Sequence, residues 1–485
     1  GSGFKLAKKL GHTCTLTVPA LVQLRCQETD LLKGIAGVRT DSEIRFLCDG
    51  EEISRERGEL QLTDYGISGI PVFQLSSCVN YRLRERRECV AQIDFLPELS
   101  EEEYHKLQES RKLLLGDRTA EEFFTGIVHK KLTSTLLKLA GIRLATPMRE
   151  IPEEKIRNFY GLCRNFRLHI TESNPYENAQ VSAGGVAVTE VKETMESKHC
   201  AGVYFAGEIL DVDGRCGGYN LQWAWSSGAA DIWQDITQHN NRSKMIMIRL
   251  NQLKLPVNHT EAQLMNKTAQ ILRIPEAEIL EIEIVRQSLD ARKKPELFYS
   301  YSVNVTVKRE QKVYKDAVRR LGKANVALVE KTEYHFPDGG TQPQKHPTVI
   351  IGMGPAGLFC AYNLARSGQK VILIEQGKCV DERKKDIDTY LETGKLNTQS
   401  NVQFGEGGAG TFSDGKLTTG IKDYRKQFVL NTFYEHGASE DILYLNKPHL
   451  GTDVLINVVK NIRKDIKISL CMRIMFSKLL WRKKL

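Results

Sequence analysis

Long apolar runs are missing from this chain of 485 residues. No stretch of 18 consecutive apolar residues occurs, which argues against a spanning helix and against a membrane partner. Closely paired cysteines are missing too. Eleven cysteines are present, yet none stands at C-x-x-C spacing, so zinc and thioredoxin-type sites are unsupported and no metal site is expected. The odd count fits a reducing compartment, where thiols act as small apolar groups, and points to the cytoplasm. The first half also lacks an excess of positive charge. Residues 1–244 hold 31 Lys+Arg against 34 Asp+Glu, a net −3, whereas residues 245–485 hold 38 against 26, a net +12. This asymmetry suggests two units with different histories.

What is there reads as globular. Hydrophobic content of 41% and charged content of 27% are ordinary, and the length allows roughly three domains. Residues 14–95 alternate in short apolar runs ("TCTLTVPALVQL", "EIRFLCDGEEI", "GELQLTDYGISGIPVFQLS") and read as a small antiparallel sheet or barrel. Within it "RLRERRE", Arg82–Glu88, reads as a solvated strand face, with RNA contact the weaker reading. Residues 98–165 look helical. Ser100 with Glu103, and Thr119 with Glu122, stand at capping-box spacing. Phe123, Phe124, Ile127, Val128 and Leu132 then keep a helical period, with Gly141 as a stop. A new domain is expected to open at "MIMIRLNQLKLPV", with Met245 or Met247 as a candidate translation start. Strand, helix ("TEAQLMNKTAQIL") and a strand pair follow, then the linker "FPDGGTQPQKHP".

The sharpest motif is "VIIGMGPAGLFCAYNLARSGQKVILIE". Gly352, Gly354 and Gly357 stand in G-x-G-x-x-G spacing behind a short buried strand. A helix carrying Pro355 and Ala356 follows, Gly368 ends it, and a second strand closes on Glu375. Gly352 permits the tight turn, Gly354 lets backbone approach a pyrophosphate, and Gly357 lets helix pack on sheet. Glu375 is placed for ribose hydroxyls, which favours FAD or NAD over NADP. Further on, "QFGEGGAGTFSDGKLTTG" supplies a glycine-rich loop, including Gly407 and Gly408, whose N–H groups suit an anion, with Lys416 adding charge.

The first half holds "AGVYFAGEILDVDGRCGGYNLQWAW". "GVYFAGE" reads as a strand ending at Glu208. The pair Gly217-Gly218 then leads through Tyr219 into a helix near Asn220. A helix start suits the negative charge that gathers on a reduced flavin, and Glu208 or Asp213 could hold ribityl or ribose hydroxyls. Cys216, His199, Trp223, Trp225, Tyr65 and Ser68 read as bystanders, turn or core residues, and no catalytic acid or base can be named.

Residues 4–240 resemble the BaiN/RdsA-type (aminoacetone-oxidase-like) FAD flavoproteins. The residues carrying the likeness are "GFKLAKKLGHT", "GELQLTDYGISGIP", "SNPYENAQVSAGGVAVTEV", "MESKHCAGVYFAGEILDVDG" and "GGYNLQWAWSSG". The resemblance implies that an FAD domain carries an inserted β-barrel and helical domain, and that the AGE/GGYN region cups the flavin. Substrates in that family run from small amines to conjugated enones and uridine in ribosomal RNA. Residues 247–466 are similar to a different group, the uncharacterised NAD(P)/FAD-dependent dehydrogenases, through "RQSLDARKKPELFYSYSVNV", the cradle, "NVQFGEGGAGTFSDGKLTTG" and "KPHLGTDVLINVVKNIRK".

Together these readings give an α/β fold class: two partial copies of an FAD/NAD(P)-binding Rossmann-like domain, an inserted β-barrel-plus-helical domain, and a small α/β domain. The expected divisions are 1–13, a remnant of the first FAD domain; 14–178, the insert; 179–240, the C-terminal segment of the first FAD domain; 245–335, the small α/β domain; 346–470, the N-terminal part of the second FAD domain; and 471–485, an irregular tail. The chain then reads as the tail of one flavoprotein joined to the head of another. The expected function is an FAD-dependent oxidoreductase acting on a small molecule, with NAD(P)H as a candidate donor. A non-catalytic composite chain and an RNA-modifying flavoprotein are the alternatives.

Overall fold

The computed structural model describes residues 2–229, 246–292, 294–330, 346–412, 425–445, 448–466 and, as backbone, 471–473. Lys416 and the tail after 473 lie outside the described residues. The chain divides into two compact units. One comprises Gly3–Glu190 and Glu208–Cys216, the other Val191–Gly207 and Gly217–Leu485.

The first unit opens with α1 (Ser2–Lys9) and β1 (Val18–Ala20). Then come β2 (Leu24–Cys26), α2 (Thr29–Ile35), β3 (Arg39–Cys48), β4 (Glu51–Leu62), β5 (Gly66–Gly69), α3 (Ile70–Arg84) and β6 (Cys89–Asp94). Helices α4 (Glu101–Leu115), α5 (Ala120–Phe124), α6 (Lys130–Leu139) and α7 (Glu153–Arg164) precede β7 (Phe166–Ser173) and β8 (Val181–Ala183). Strands β2-β5-β4-β3-β6-β7 close into a barrel through antiparallel pairs, and β1 pairs with β8. Period-two alternation turns Ile44 and Phe46 of β3, Leu60 and Leu62 of β4, and Ala91 and Ile93 of β6 inward. Val72, Leu75 and Val79 of α3, at helical spacing, join the same core, as do Phe123, Phe124, Leu132, Leu136 and Phe159 of the later helices.

Both expected capping boxes form. The Ser100 and Thr119 hydroxyls each accept the N3 backbone N–H, and Glu103 and Glu122 reach back to the N-cap. Three readings are corrected. The period from Phe123 to Leu132 is broken into α5 and α6, because the chain leaves the helix at Thr125 and passes through Gly126 at φ +83°. "PVFQLS" is helix, since Pro71 starts α3 and its apolar residues recur every three to four positions; Arg82 and Arg84 therefore end a helix instead of lining a strand. "GVYFAGE" is not a strand: only Tyr204 bridges, to Glu196, and Gly207–Ile209 form a 3₁₀ turn with Gly207 at φ +78°.

In the second unit α8 (Tyr219–Ala229) precedes β9 (Ile246–Pro256), α9 (Glu261–Leu272), β10 (Ile279–Asp290), β11 (Phe298–Val307), α10 (Glu310–Leu321) and β12 (Val326–Glu330). These strands form an antiparallel sheet in the order β10-β11-β9-β12 with its own core, including Ile248, Leu264, Val303, Val305 and Ala317. Then follow β13 (Thr348–Ile351), α11 (Pro355–Arg366), β14 (Val371–Glu375), α12 (Val380–Thr393), α13 (Arg425–Glu435), α14 (Thr452–Asp465) and β15 (Cys471–Arg473). Strands β13-β14-β15 are parallel. Two partial Rossmann-like copies were expected, but among the described residues this is the one parallel sheet. Residues 179–229 give the second unit a helix, α8, and no strand of that sheet. No described helix is long and apolar enough to cross a membrane.

Candidate functional site

The cradle follows from strand register. Thr348–Ile351 of β13 pair in parallel with Val371–Ile374 of β14, so both strands end together and the turn after Ile351 opens beside Glu375. The Gly352 N–H donates to the Ile374 carbonyl at 2.7 Å, and Gly352 takes φ +99°, a conformation costly for other residues. Gly354 caps α11, and Pro355 enters its first turn preset for a helix. That turn holds no acidic side chain, so the partial positive charge of the helix start is not neutralised from within.

The three glycines divide into two roles. A Cβ on Gly352 or Gly354 would meet nothing within 4 Å, whereas one on Gly357 would lie 1.9 Å from the Gly352 carbonyl oxygen. Gly357 thus serves the packing of helix on turn, and the other two face open space. Glu375 is buried, and its two carboxylate oxygens accept the Met353 N–H at 2.6 Å and the Gly377 N–H at 2.8 Å. A carboxylate offers about four lone-pair sites, so acceptor capacity is left for hydroxyls. Glu375 also holds the cradle's own backbone, a role the sequence reading did not give it.

The glycine-rich loop meets the cradle. Gly407 donates its N–H to the Met353 carbonyl at 2.8 Å, and a Cβ on Gly408 would lie 2.8 Å from Pro355 Cδ. Gly405, Gly407 and Gly408 all have positive φ, at +117°, +78° and +71°.

Helix α8 lies against α11. A Cβ on Gly228 would be 2.1 Å from the Ala356 carbonyl oxygen, and one on Gly207 would be 3.0 Å from Ala356 Cβ. Gly207 is held there because its N–H donates to Ser227 Oγ at 2.8 Å and its carbonyl accepts Trp223 Nε1 at 3.2 Å. The Trp225 ring meets Phe433 edge-on at 5.2 Å and Phe359 at 6.3 Å. Leu221 reaches the loop at Gly410, where an added Cβ would sit 3.2 Å from Leu221 Cδ2. Asn220, Gln222, Ser226 and Ser227 make this helix polar as well as buried. Gly217 and Gly218, at φ +120° and +83°, precede Tyr219 at its start.

The second unit therefore brings together Gly352, Gly354, Pro355, Ala356, Gly357, Glu375, Gly407 and Gly408, with Gly217, Gly218, Tyr219 and Asn220 carried by α8 and its approach. Glu208 and Asp213 are exposed residues of the first unit. Cys216 is half-buried, with its N–H on Gln74 Oε1 at 3.0 Å. Two charged residues escaped the sequence reading. Arg383 and Glu406 are fully buried behind the loop, and Arg463 Nη1 donates to Glu406 Oε2 at 2.7 Å. Burial pushes the Glu406 carboxyl above its ordinary value. The available signal was Arg383 standing with Val380 and Ile387 on the buried stripe of α12.

Three family models match separate stretches of the chain. Residues 18–181 match the HI0933-like protein barrel and H2TH domain. Residues 247–306 match a domain of unknown function (DUF8436), and residues 348–381 match an FAD binding domain. The chain is 43% identical over 229 residues to the 3-dehydro-bile acid delta(4,6)-reductase of Clostridium scindens, covering 47% of this chain and 56% of that protein. It is 43% identical over 220 residues to an uncharacterized protein of Clostridium beijerinckii, covering 45% and 40%. It is 32% identical over 232 residues to the ribosomal RNA dihydrouridine synthase of Haemophilus influenzae, covering 47% and 54%. The chain thus spans about half the length of the curated relatives it matches.

Proposed function

We propose that the second unit binds FAD and that the chain acts as an FAD-dependent oxidoreductase on a small molecule. The observation that carries this reading is the seating of α8 on the first turn of α11, next to a cradle whose two leading glycines face open space. Backbone from Gly352 to Gly357 would hold the diphosphate, Glu375 the ribose, and the Gly407-Gly408 turn would border the cradle. Gly217, Gly218, Tyr219 and Asn220 would stand toward the ring end. FAD, when bound, supplies hydride transfer to or from a stacked substrate. The protein's own part is to bind the diphosphate through oriented amides and to shield the site through the buried face of α8.

The reading also draws on kinship: the domain match at residues 348–381 and a reductase among the relatives. A conjugated enone is the substrate class suggested by that relative's name. The division of labour is unusual, since the cradle and the covering helix come from stretches that resemble different families.

The test is purification followed by absorption spectroscopy and FAD titration. Flavin bands near ~450 nm, at about one FAD per chain, are expected for an intact site. A colourless protein that stays colourless with added FAD overturns the reading and leaves a non-catalytic composite chain.

A further inference from the structure

Arg383 heads the fully buried side chains by size. A buried charge is normally matched by an opposite charge; the Glu375 and Glu406 carboxylates favour this one, but the guanidinium donates to backbone carbonyls of one loop. Nε and Nη2 donate to Asn401 O, each at 3.2 Å, and Nη2 also donates to Val402 O at 3.2 Å. Nη1 donates to Glu406 O at 2.5 Å and to Gly408 O at 3.1 Å. The planar group also stacks on Phe412, 4.7 Å from the ring centroid. The geometry suits arginine's rigid fork of donors and not the point charge of lysine. Burial draws the guanidinium down to about 10, so it remains charged at neutral pH.

A peptide unit is planar and trans, so a carbonyl drawn one way turns the next N–H the other way. Arg383 draws in the Glu406 carbonyl, and the Gly407 N–H beyond it bonds to Met353 of the cradle. It draws in the Gly408 carbonyl in the same manner, which turns the N–H of exposed Ala409 away from α12. The Glu406 side chain fixes the same loop from behind, its Oε2 accepting the Val380 N–H at 2.7 Å at the start of α12.

We propose that Arg383 is a positioning residue for the dinucleotide: it sets the direction of the 406–409 peptides that border the cradle, and thereby the affinity for the diphosphate. The inference rests on reading Gly352–Gly357 as an FAD cradle. It goes further in assigning part of the cofactor affinity to a side chain that lies behind the loop.

The experiment measures FAD affinity by fluorescence titration for the full chain, for R383K and for R383A, alongside the thermal melt of each protein without FAD. R383K is expected to bind FAD about tenfold more weakly, the equivalent of one charge-assisted hydrogen bond, and R383A more weakly still. Added guanidinium ion, but not ammonium, is expected to restore affinity to R383A, a recovery that a general packing defect would not show. Hydrogen exchange at Gly407 and Ala409 should rise in both variants. Affinity within twofold of the unaltered chain in R383A overturns the proposal, as does a loss that guanidinium leaves untouched. Should R383A fail to fold, R383K decides by the same affinity criterion. If the unaltered chain binds no FAD, the cradle reading itself has failed and the proposal falls with it, a result visible before any variant is made.

Discussion

At the scale of single residues, the cradle separates steric need from ligand need. Gly357→Ala would press a methyl into the Gly352 carbonyl. It should destabilise the second unit by about 1–3 kcal/mol, read as a lower melting temperature without FAD. Gly354→Ala has free space around it and a φ of −71° that an alanine adopts without strain. It should leave the melt almost unchanged while weakening FAD binding, which titration would reveal. If both variants melt alike and bind alike, the two-role assignment is wrong. The cradle was legible because its signals are local: a strand, a turn, a helix and a strand follow one another without interruption. Arg383 was not, because "DERKKDID" reads as a solvated run. Its burial is decided by a loop that closes over it from residues 401–408.

At the scale of elements, the contact between α8 and α11 can be broken on purpose. Trp225→Ala removes a half-buried ring packed on Phe359 and Phe433, which should cost up to about 3 kcal/mol, less than a fully buried aromatic. The loss should appear both as a lower melt and as faster proteolysis near Tyr219. Helices α12 and α14 are joined differently, through Asp381, which receives Lys460 Nζ at 2.8 Å and Arg463 Nη2 at 3.2 Å. The Lys460 hydrogen bond, foremost, holds the Asp381 carboxyl below its ordinary value. A depressed carboxyl stabilises the fold above its unfolded-state value, and that support is lost as pH falls through the folded-state value. The pair is partly exposed, so the effect should stay below about 1 kcal/mol. Melts taken from neutral pH down through the acid range should show the unaltered chain losing slightly more stability than K460M. Capping boxes at Ser100 and Thr119 were readable from spacing alone. The break at Gly126 was not, since the apolar period runs straight across it.

At the scale of the whole molecule, the barrel and the cradle each have their own apolar core. One is built on Phe46, Phe124 and Phe159, the other on Phe359, Phe433 and Val458. Calorimetry should resolve at least two transitions, with FAD raising only the one that belongs to the second unit; at 100 times its dissociation constant the gain is about 2.7 kcal/mol. A single transition shifted as a whole by FAD would contradict independent cores. The antiparallel character of the barrel strands was legible from alternation in "EIRFLCDGEEI" and its neighbours, but closure was not, because β7 arrives from beyond the helices at Phe166–Ser173. The destination of "LQWAWSSGAA" did not, because a helix with apolar and small polar residues on every side names no partner.

The seating of Gly228 on Ala356 carries an evolutionary consequence. Backbones this near tolerate only the smallest residues at the crossing, so drift toward a bulkier side chain on either helix would pry the cover from the nucleotide turn. The crossing thus fixes residue size from both sides, whatever else changes along the two helices.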